Sequence, residues 1–415
     1  MPSQRPAGRA LPQRGDPTRD RGLHRVCTDR RNSTTLSDCG VSFDVRAEHL
    51  YVHVPFCARR CVYCDFSIAV RSAVPVREYL EALEREWSVR HASSEFDLET
   101  LYMGGGTPSK LGGDGVFRLI ELVHRRARVR EGAEVTLEAN PEDITPQAAR
   151  AWVSAGVNRV SVGVQSFDDR VLAWMHRTHD SQAAIRSVNV LRDAGLDNVS
   201  IDLIFAVPDV LERDWDQDVW TTLDLQLSHI SVYGLTIEPH TPLGRWVART
   251  EVAEAGEQSF EAEFLRAHDA LTSGGFEHYE VSNYAKQGSH SRHNWAYWAR
   301  KPYGGLGPSA HEFDGNARRW NVAAYAEWVA RTARNEDPVE GHEALTPEQV
   351  HAEEVYLGLR TAAGFRTSDS QAARVSRLVD SGWARSDAES TLRLTGSGWL
   401  RLDSIAADLT ALRSH

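Results

Sequence analysis

The feature that most restricts the fold is a change of rhythm at Leu50. From there, short apolar runs alternate with stretches whose apolar residues recur every three or four positions. The strand-like runs are 50–56, 100–105, 134–140, 159–166, 198–207 and 229–236. Helical stretches between them include 77–91, 115–128, 146–155 and 181–194, with Gly156 and Gly195 where C-caps would fall. Repeated β–α units demand right-handed crossovers and a parallel sheet. Six such units in about 190 residues fall short of a closed eight-fold barrel. The expected fold class is α/β, a partial (β/α)6 barrel over 48–240. Residues 241–340 read as a barrel-edge extension, largely helical up to about 276. Residues 341–415 read as a small C-terminal α+β domain of winged-helix-like pattern, with helices at 347–361 and near 369–381 and a two-stranded wing within 391–409. Residues 1–47 are polar, lack apolar periodicity and read as a disordered extension.

In sheets of this kind ligands bind at the C-terminal ends of the strands. Unusual polar residues collect there. Cys57, Cys61 and Cys64 follow the first strand in the spacing C-x3-C-x2-C. Three thiolates so placed hold three corners of a cuboidal iron–sulfur cluster, whose usual complement is four, and leave one iron open to a small molecule. A disulfide with a spare thiol and a zinc site completed by His53 are the alternatives from the residues alone. Gly104, Gly105, Gly106 and Thr107 follow the second strand, without the Lys-Ser/Thr of a Walker loop or the G-x-G-x-x-G spacing. Contact with the amino and carboxylate groups of an amino-acid-like ligand suits them better than phosphate. Glu138 and Asn140 end the third strand, Gln165 and Ser166 the fourth, while Asp202 and Tyr233 lie in the fifth and sixth.

A second unusual stretch, 278–313, is dense in aromatics, glycines and histidines and contains His293-Asn294-x-x-Tyr297-Trp298. It suits a large planar ligand or aromatic packing of an open barrel edge. The net charge of −11 argues against nucleic acid as the main partner. No apolar run approaches the ~20 residues that span a bilayer, so no transmembrane segment is expected. Five cysteines, three of them in one motif, are no disulfide framework and suit a reducing cytoplasm.

Taken together, YVHVPF-C-x3-C-x2-C, GGGTPS, LEANPE, GVQSF, DLIF and HNxxYW resemble the radical S-adenosylmethionine enzymes of the oxygen-independent coproporphyrinogen III oxidase group, over residues 48 to 410. The resemblance implies a 4Fe-4S cluster on Cys57, Cys61 and Cys64, with S-adenosylmethionine on the open iron. It implies Tyr51, Tyr63 (mainly backbone), Gly105, Gly106 and Thr107 at the methionine end of that cofactor, and Glu138, Gln165, Arg177 and Asp202 along the rest. Oxidases of the group carry a further cysteine two residues after the third; here that position is Phe66. With Phe there and HNxxYW present, the chain is similar to the heme-chaperone branch, which leaves catalytic turnover in doubt. That branch implies heme and heme-acceptor proteins as partners, a reductant such as flavodoxin or ferredoxin, and His293 as the heme-contacting residue; homodimerisation stays open. The alternative is the oxidase itself, a radical oxidative decarboxylation in porphyrin biosynthesis. Ala206 and Asp209 stand where glycines are expected around Pro208.

Overall fold

The computed structural model describes residues 46–411, which form one compact unit. The expected extension over 1–47 lies outside the described residues except for Arg46 and Ala47. These two begin the first strand, so β1 starts earlier than the apolar run suggested.

Six parallel strands follow one another in space as in sequence: β1 (Arg46–Val54), β2 (Glu95–Gly105), β3 (Arg128–Ala139), β4 (Arg159–Gln165), β5 (Val199–Phe205) and β6 (His229–Gly234). Their central stretches are buried, as in strands covered on both faces, and β4 is buried at every position, whereas β3 enters through an exposed N-terminal half. Three further strands widen the sheet. β7 (Glu277–Glu280) and β8 (Asn283–Ala285) form a hairpin whose β8 pairs antiparallel with β6. β9 (Gly304–Leu306) pairs parallel with β1 at the other edge. The order is β9-β1-β2-β3-β4-β5-β6-β8-β7, an open nine-stranded sheet, and the expected partial barrel is its six-stranded centre.

The crossover helices are α1 (Val76–Arg90), α2 (Gly112–Arg126), α3 (Pro146–Ser154), α4 (Asp169–Trp174), α5 (Ser181–Asp193) and α6 (Trp215–Asp224), of which α1, α2, α3 and α5 lie close to the expected stretches. Their starts are chemically marked. Thr145, Asp168, Asp180 and Asp214 each accept a hydrogen bond from a first-turn amide, satisfying a donor that the helix itself cannot. The region expected to be largely helical holds α7 (Pro242–Ala248) and α8 (Glu257–Ser273). HNxxYW forms a short helix, α9 (Arg292–Trp298), directly before β9.

A small antiparallel sheet, β10 (His311–Phe313), β11 (Ala317–Asn321) and β12 (Val339–Ala344), leads into α10, which within it spans Tyr325–Ala333. A buried polar network ties this region to α1. Glu86 accepts hydrogen bonds from Gly307 N and Trp328 Nε1, both at 2.9 Å, and Arg90 reaches Glu312 at 3.1 Å.

The C-terminal part contains α11 (Pro347–Arg360), α12 (Ala372–Asp380), α13 (Gly396–Trp399) and α14 (Leu402–Thr410). Its sheet has three strands, not two: β13 (Phe365–Arg366), β14 (Ala384–Ser386) and, between them, β15 (Thr391–Leu394). The run 391–409, expected as a wing, turns helical after Leu394, where the Thr395 hydroxyl caps α13.

Candidate cluster and cofactor site

The cysteine loop leaves the C-terminal end of β1 and is anchored on both flanks by backbone hydrogen bonds. Ala69 N donates to Pro55 O at 2.7 Å and Arg71 N to Cys57 O at 3.0 Å. A tight turn brings Cys64 N to Cys61 O at 3.3 Å, and Val62 N reaches Met175 O at 3.3 Å. All three thiols are free and partly buried. Burial pushes the Cys57 thiol up and the Cys64 thiol up to about 12. Such thiols become thiolates only when a cation compensates them, and a coordinating metal does this outright. Three of them in one loop, with no disulfide, fit an iron–sulfur cluster.

Two side chains from elsewhere meet these sulfurs, one just past β2 and one in the loop after α4. Thr107 Oγ1 lies 3.3 Å from Cys57 Sγ. Arg177 Nη1 lies 3.5 Å from Cys61 Sγ, while its Nη2 donates to Gly163 O at 2.7 Å and Asn140 Oδ1 at 2.8 Å. Burial opposes the Arg177 charge, but Tyr63, Cys61 and Glu142 around it outweigh that and raise its pKa. Its Nε is buried without a partner. Glu142 accepts from Thr178; burial opposes its charge, yet its hydrogen bonds and Arg177 hold it down to about 2.

The glycines after β2 have packing reasons. A Cβ on Gly106 would stand 2.7 Å from the Pro55 carbonyl, and one on Gly105 (φ +112°) 2.5 Å from the His53 ring. Their amides are committed as well, Gly105 N to Glu138 Oε2 at 3.1 Å and Gly106 N to Val54 O at 2.8 Å. The glycines thus allow β2 to close onto the cysteine loop, with the amides of Gly105 and Gly106 engaged inside the protein.

Inside the barrel, Glu138 also accepts from Tyr102 OH at 2.8 Å. Burial, abetted by Asp202, raises its carboxyl to about 7. Asp202 accepts from Ser161 Oγ at 3.1 Å and is likewise raised by burial. Gln165 ends β4 with a positive φ of 71° beside a break in the β4–β5 register, an arrangement that a non-glycine residue seldom adopts. A Cβ on Gly163 would stand 2.9 Å from Gln165 Nε2 and 3.3 Å from both Arg177 Nη2 and Asn140 Oδ1, so these three groups crowd one spot. Two buried carboxyls, of which Asp202 raises the pKa of Glu138, gain from a cation between them, as the amino group and sulfonium of S-adenosylmethionine are. Tyr51 rounds off this wall: its hydroxyl bonds His53 Nδ1 at 3.1 Å and its ring stacks on Tyr102. Tyr63 lies beside Cys61 and Arg177 and packs on Val171, Met175, Ile204 and Val207.

Twelve of the expected residues thus lie on or beside the strand-end face. Three neighbours escaped the sequence reading as site residues. Asn140 joins Arg177 to Thr107, Tyr102 carries Glu138, and Arg159 is the buried cation that favours the ionised forms of Glu138 and Asp202. Asn140 alone had a signal, its place at a strand end.

His293 stands apart. It is 0% exposed. Its Nδ1 lies 2.7 Å from Thr100 Oγ1 and its Nε2 2.8 Å from Tyr297 OH, while the ring stacks on Tyr102. Burial drives its pKa well below the usual range. Tyr297 packs on Tyr303, and the Arg360 guanidinium lies over Trp298. In this arrangement both ring nitrogens of His293 are engaged inside the protein.

Residues 51–219 match the model of the Radical SAM superfamily, the class that this sheet and its cysteine loop define. The heme chaperone HemW of Bacillus subtilis is 35% identical over 318 residues, 76% of this chain and 83% of that protein. HemW of Mycobacterium tuberculosis is 35% identical over 335 residues, 79% and 85% of the two chains. The coproporphyrinogen III oxidase HemN of Escherichia coli, a radical SAM enzyme, superposes with a TM-score of 0.74 at 21% identity, over 89% of this chain and 91% of that one. Within the superfamily, the chain belongs to the family of the HemW heme chaperones.

Proposed function

We propose that this protein is a cytoplasmic heme chaperone. It holds a 4Fe-4S cluster on Cys57, Cys61 and Cys64, binds S-adenosylmethionine at the strand ends, takes up heme as cargo and delivers it to acceptor proteins. A small electron carrier such as flavodoxin or ferredoxin serves as reductant. When bound, the cluster supplies an electron and one iron with a free coordination position. The chain's own residues do the rest. Arg177 and Thr107 neutralise charge at the sulfurs. Glu138 and Asp202 hold the cationic cofactor, Gln165 crosses it, and Tyr51 and Tyr63 shield it from water. Among the described residues no helix is long and apolar enough to cross a membrane.

The observation that carries this reading is Phe66. The oxidases of the group place a further cysteine at this position, and this chain places an aromatic ring that is 40% exposed. No fourth thiol is then available there for a decarboxylation cycle.

The test is anaerobic reconstitution followed by two parallel assays: heme transfer to an apo-acceptor, and coproporphyrinogen III turnover with reductant. Heme uptake and transfer without protoporphyrinogen is the expected result. Protoporphyrinogen formation without heme transfer would overturn the reading in favour of the oxidase.

A further inference from the structure

The outer face of the cysteine loop carries a groove of about 590 Å³, within the ~300–1,000 Å³ range of small-molecule sites. It runs between the loop's return strand and the start of α10, where Ser67 Oγ donates to Ala323 O at 2.6 Å. Its floor is apolar, built from Pro55, Ile68, Val70 and the ring of Tyr325. Val70, 45% exposed, is one of the few large apolar side chains left in water, and Phe66 beside the groove is another. Single exposed apolar residues are ordinary, but a pair flanking one concavity marks a binding surface.

The rim adds charge of one sign. Arg60 and Arg71 line the groove and are exposed. Among the described residues neither forms an ion pair. Each donates only to a main-chain carbonyl, Arg60 to Cys64 O at 3.2 Å and Arg71 to Val70 O at 3.0 Å. In a chain with 58 acidic and 47 basic residues, two guanidinium groups without carboxylates at one apolar groove are an unfilled demand. Glu78, next to Tyr325, accepts from its hydroxyl at 2.8 Å. A guanidinium fork matches a carboxylate in bidentate fashion.

We propose that heme docks in this groove, its macrocycle on Val70, Ile68 and Tyr325 and its two propionates on Arg60 and Arg71. The inference rests on the chaperone reading and gives that reading a place. A planar apolar ligand with two carboxylates satisfies floor and rim together. Among the lining residues Tyr325 is the one side chain of a type that ligates haem iron, and its hydroxyl is turned to Glu78. The site is also mechanically joined to the cluster: Val70 pairs in register with Cys57, and Arg71 N donates to the Cys57 carbonyl.

The experiment titrates cluster-loaded protein with heme and with heme dimethyl ester, which lacks the carboxylates. Wild type, Arg71→Glu and Val70→Asp are compared by the heme absorption band, and the iron–sulfur absorption reports that each variant is loaded and folded. Arg71→Glu is expected to weaken heme roughly tenfold or more and to leave the dimethyl ester unchanged. Val70→Asp is expected to weaken both ligands. If wild type takes up no heme, the chaperone reading itself fails. If wild type binds heme and both variants bind it equally well, only the groove is overturned. The groove is overturned too if Arg71→Glu keeps heme but slows cluster reduction by an acidic electron carrier, since the basic rim then serves a protein partner.

Discussion

Arg177 and Cys61, separated by 116 positions in sequence, meet with Nη1 3.5 Å from Sγ. The guanidinium is held there by Gly163 O and Asn140 Oδ1, so its charge is fixed in place beside the sulfur. A cation beside a cluster ligand favours the more negative, reduced form. Replacing it with an uncharged side chain of similar length, Arg177→Met, is expected to lower the cluster's reduction potential by on the order of 100 mV, the worth of one charge at this separation in a partly screened site. A potentiometric titration of reconstituted protein followed by electron paramagnetic resonance reads this directly. A potential equal to that of wild type would show that the arginine does not act on the cluster.

Glu138 makes the site sensitive to pH. Burial raises its carboxyl from an ordinary 4.5 to about 7. Below pH 4.5 the group is protonated in both folded and unfolded chains and contributes nothing. Between 4.5 and 7 the folded state keeps a proton that the unfolded state has released, so stability falls as pH rises through this window, by roughly 3 kcal/mol in all. Above 7 the loss is complete. Urea unfolding at pH 5 and pH 8 is expected to show a smaller difference in Glu138→Gln than in wild type. Binding runs the other way: a cationic cofactor prefers the ionised carboxylate, so S-adenosylmethionine affinity is expected to rise as pH increases through 7.

Much of this architecture was readable in advance, and the reasons for what was not are specific. Strands β1 to β6 announce themselves because both their faces are buried, which makes each an apolar run. Cys57, Cys61 and Cys64 need only their spacing. Arg159 was invisible because an arginine at the head of a strand normally faces water; only the closing of the barrel puts it opposite Glu138 and Asp202. β9 is three residues, Gly304–Leu306, two of them glycines, with no alternation to detect. It is a strand because it pairs with β1, at a place where a side chain on Gly304 would strike Phe96. The wing at 391–409 failed for the converse reason: its apolar residues suit a strand and a helix alike, and the Thr395 cap decides.

Ala206 supplies a stability test. It stands where the family pattern calls for glycine, and its φ is +57°, the left-handed region. Its amide is pinned by Glu263 Oε2 at 2.6 Å, so the backbone cannot relax out of that conformation cheaply. A left-handed alanine costs about 1 kcal/mol or somewhat more relative to glycine, against which the greater freedom of unfolded glycine sets a few tenths to 1 kcal/mol. Ala206→Gly is therefore expected to be neutral to stabilising by up to about 1 kcal/mol, whereas glycine at an ordinary strand end is destabilising. Denaturant melts of the two proteins distinguish these signs.

His293 carries the last prediction. The Thr100 hydroxyl lies 2.7 Å from His293 Nδ1 and 2.9 Å from His49 Nδ1, so it donates to one imidazole and accepts from the other. His293→Ala would leave Tyr297 OH without its 2.8 Å partner, open a void under Tyr102, and halve the bonding of Thr100. The expected loss is roughly 2–4 kcal/mol of folding stability, seen as a lower urea midpoint. Heme uptake by the fraction that remains folded and cluster-loaded is expected to stay within about threefold of wild type, because the groove on the outer face of the cysteine loop does not include this residue. A variant that unfolds like wild type yet takes up no heme would reverse both statements. It would make His293 a ligand that swings free of Thr100 and Tyr297 when heme arrives.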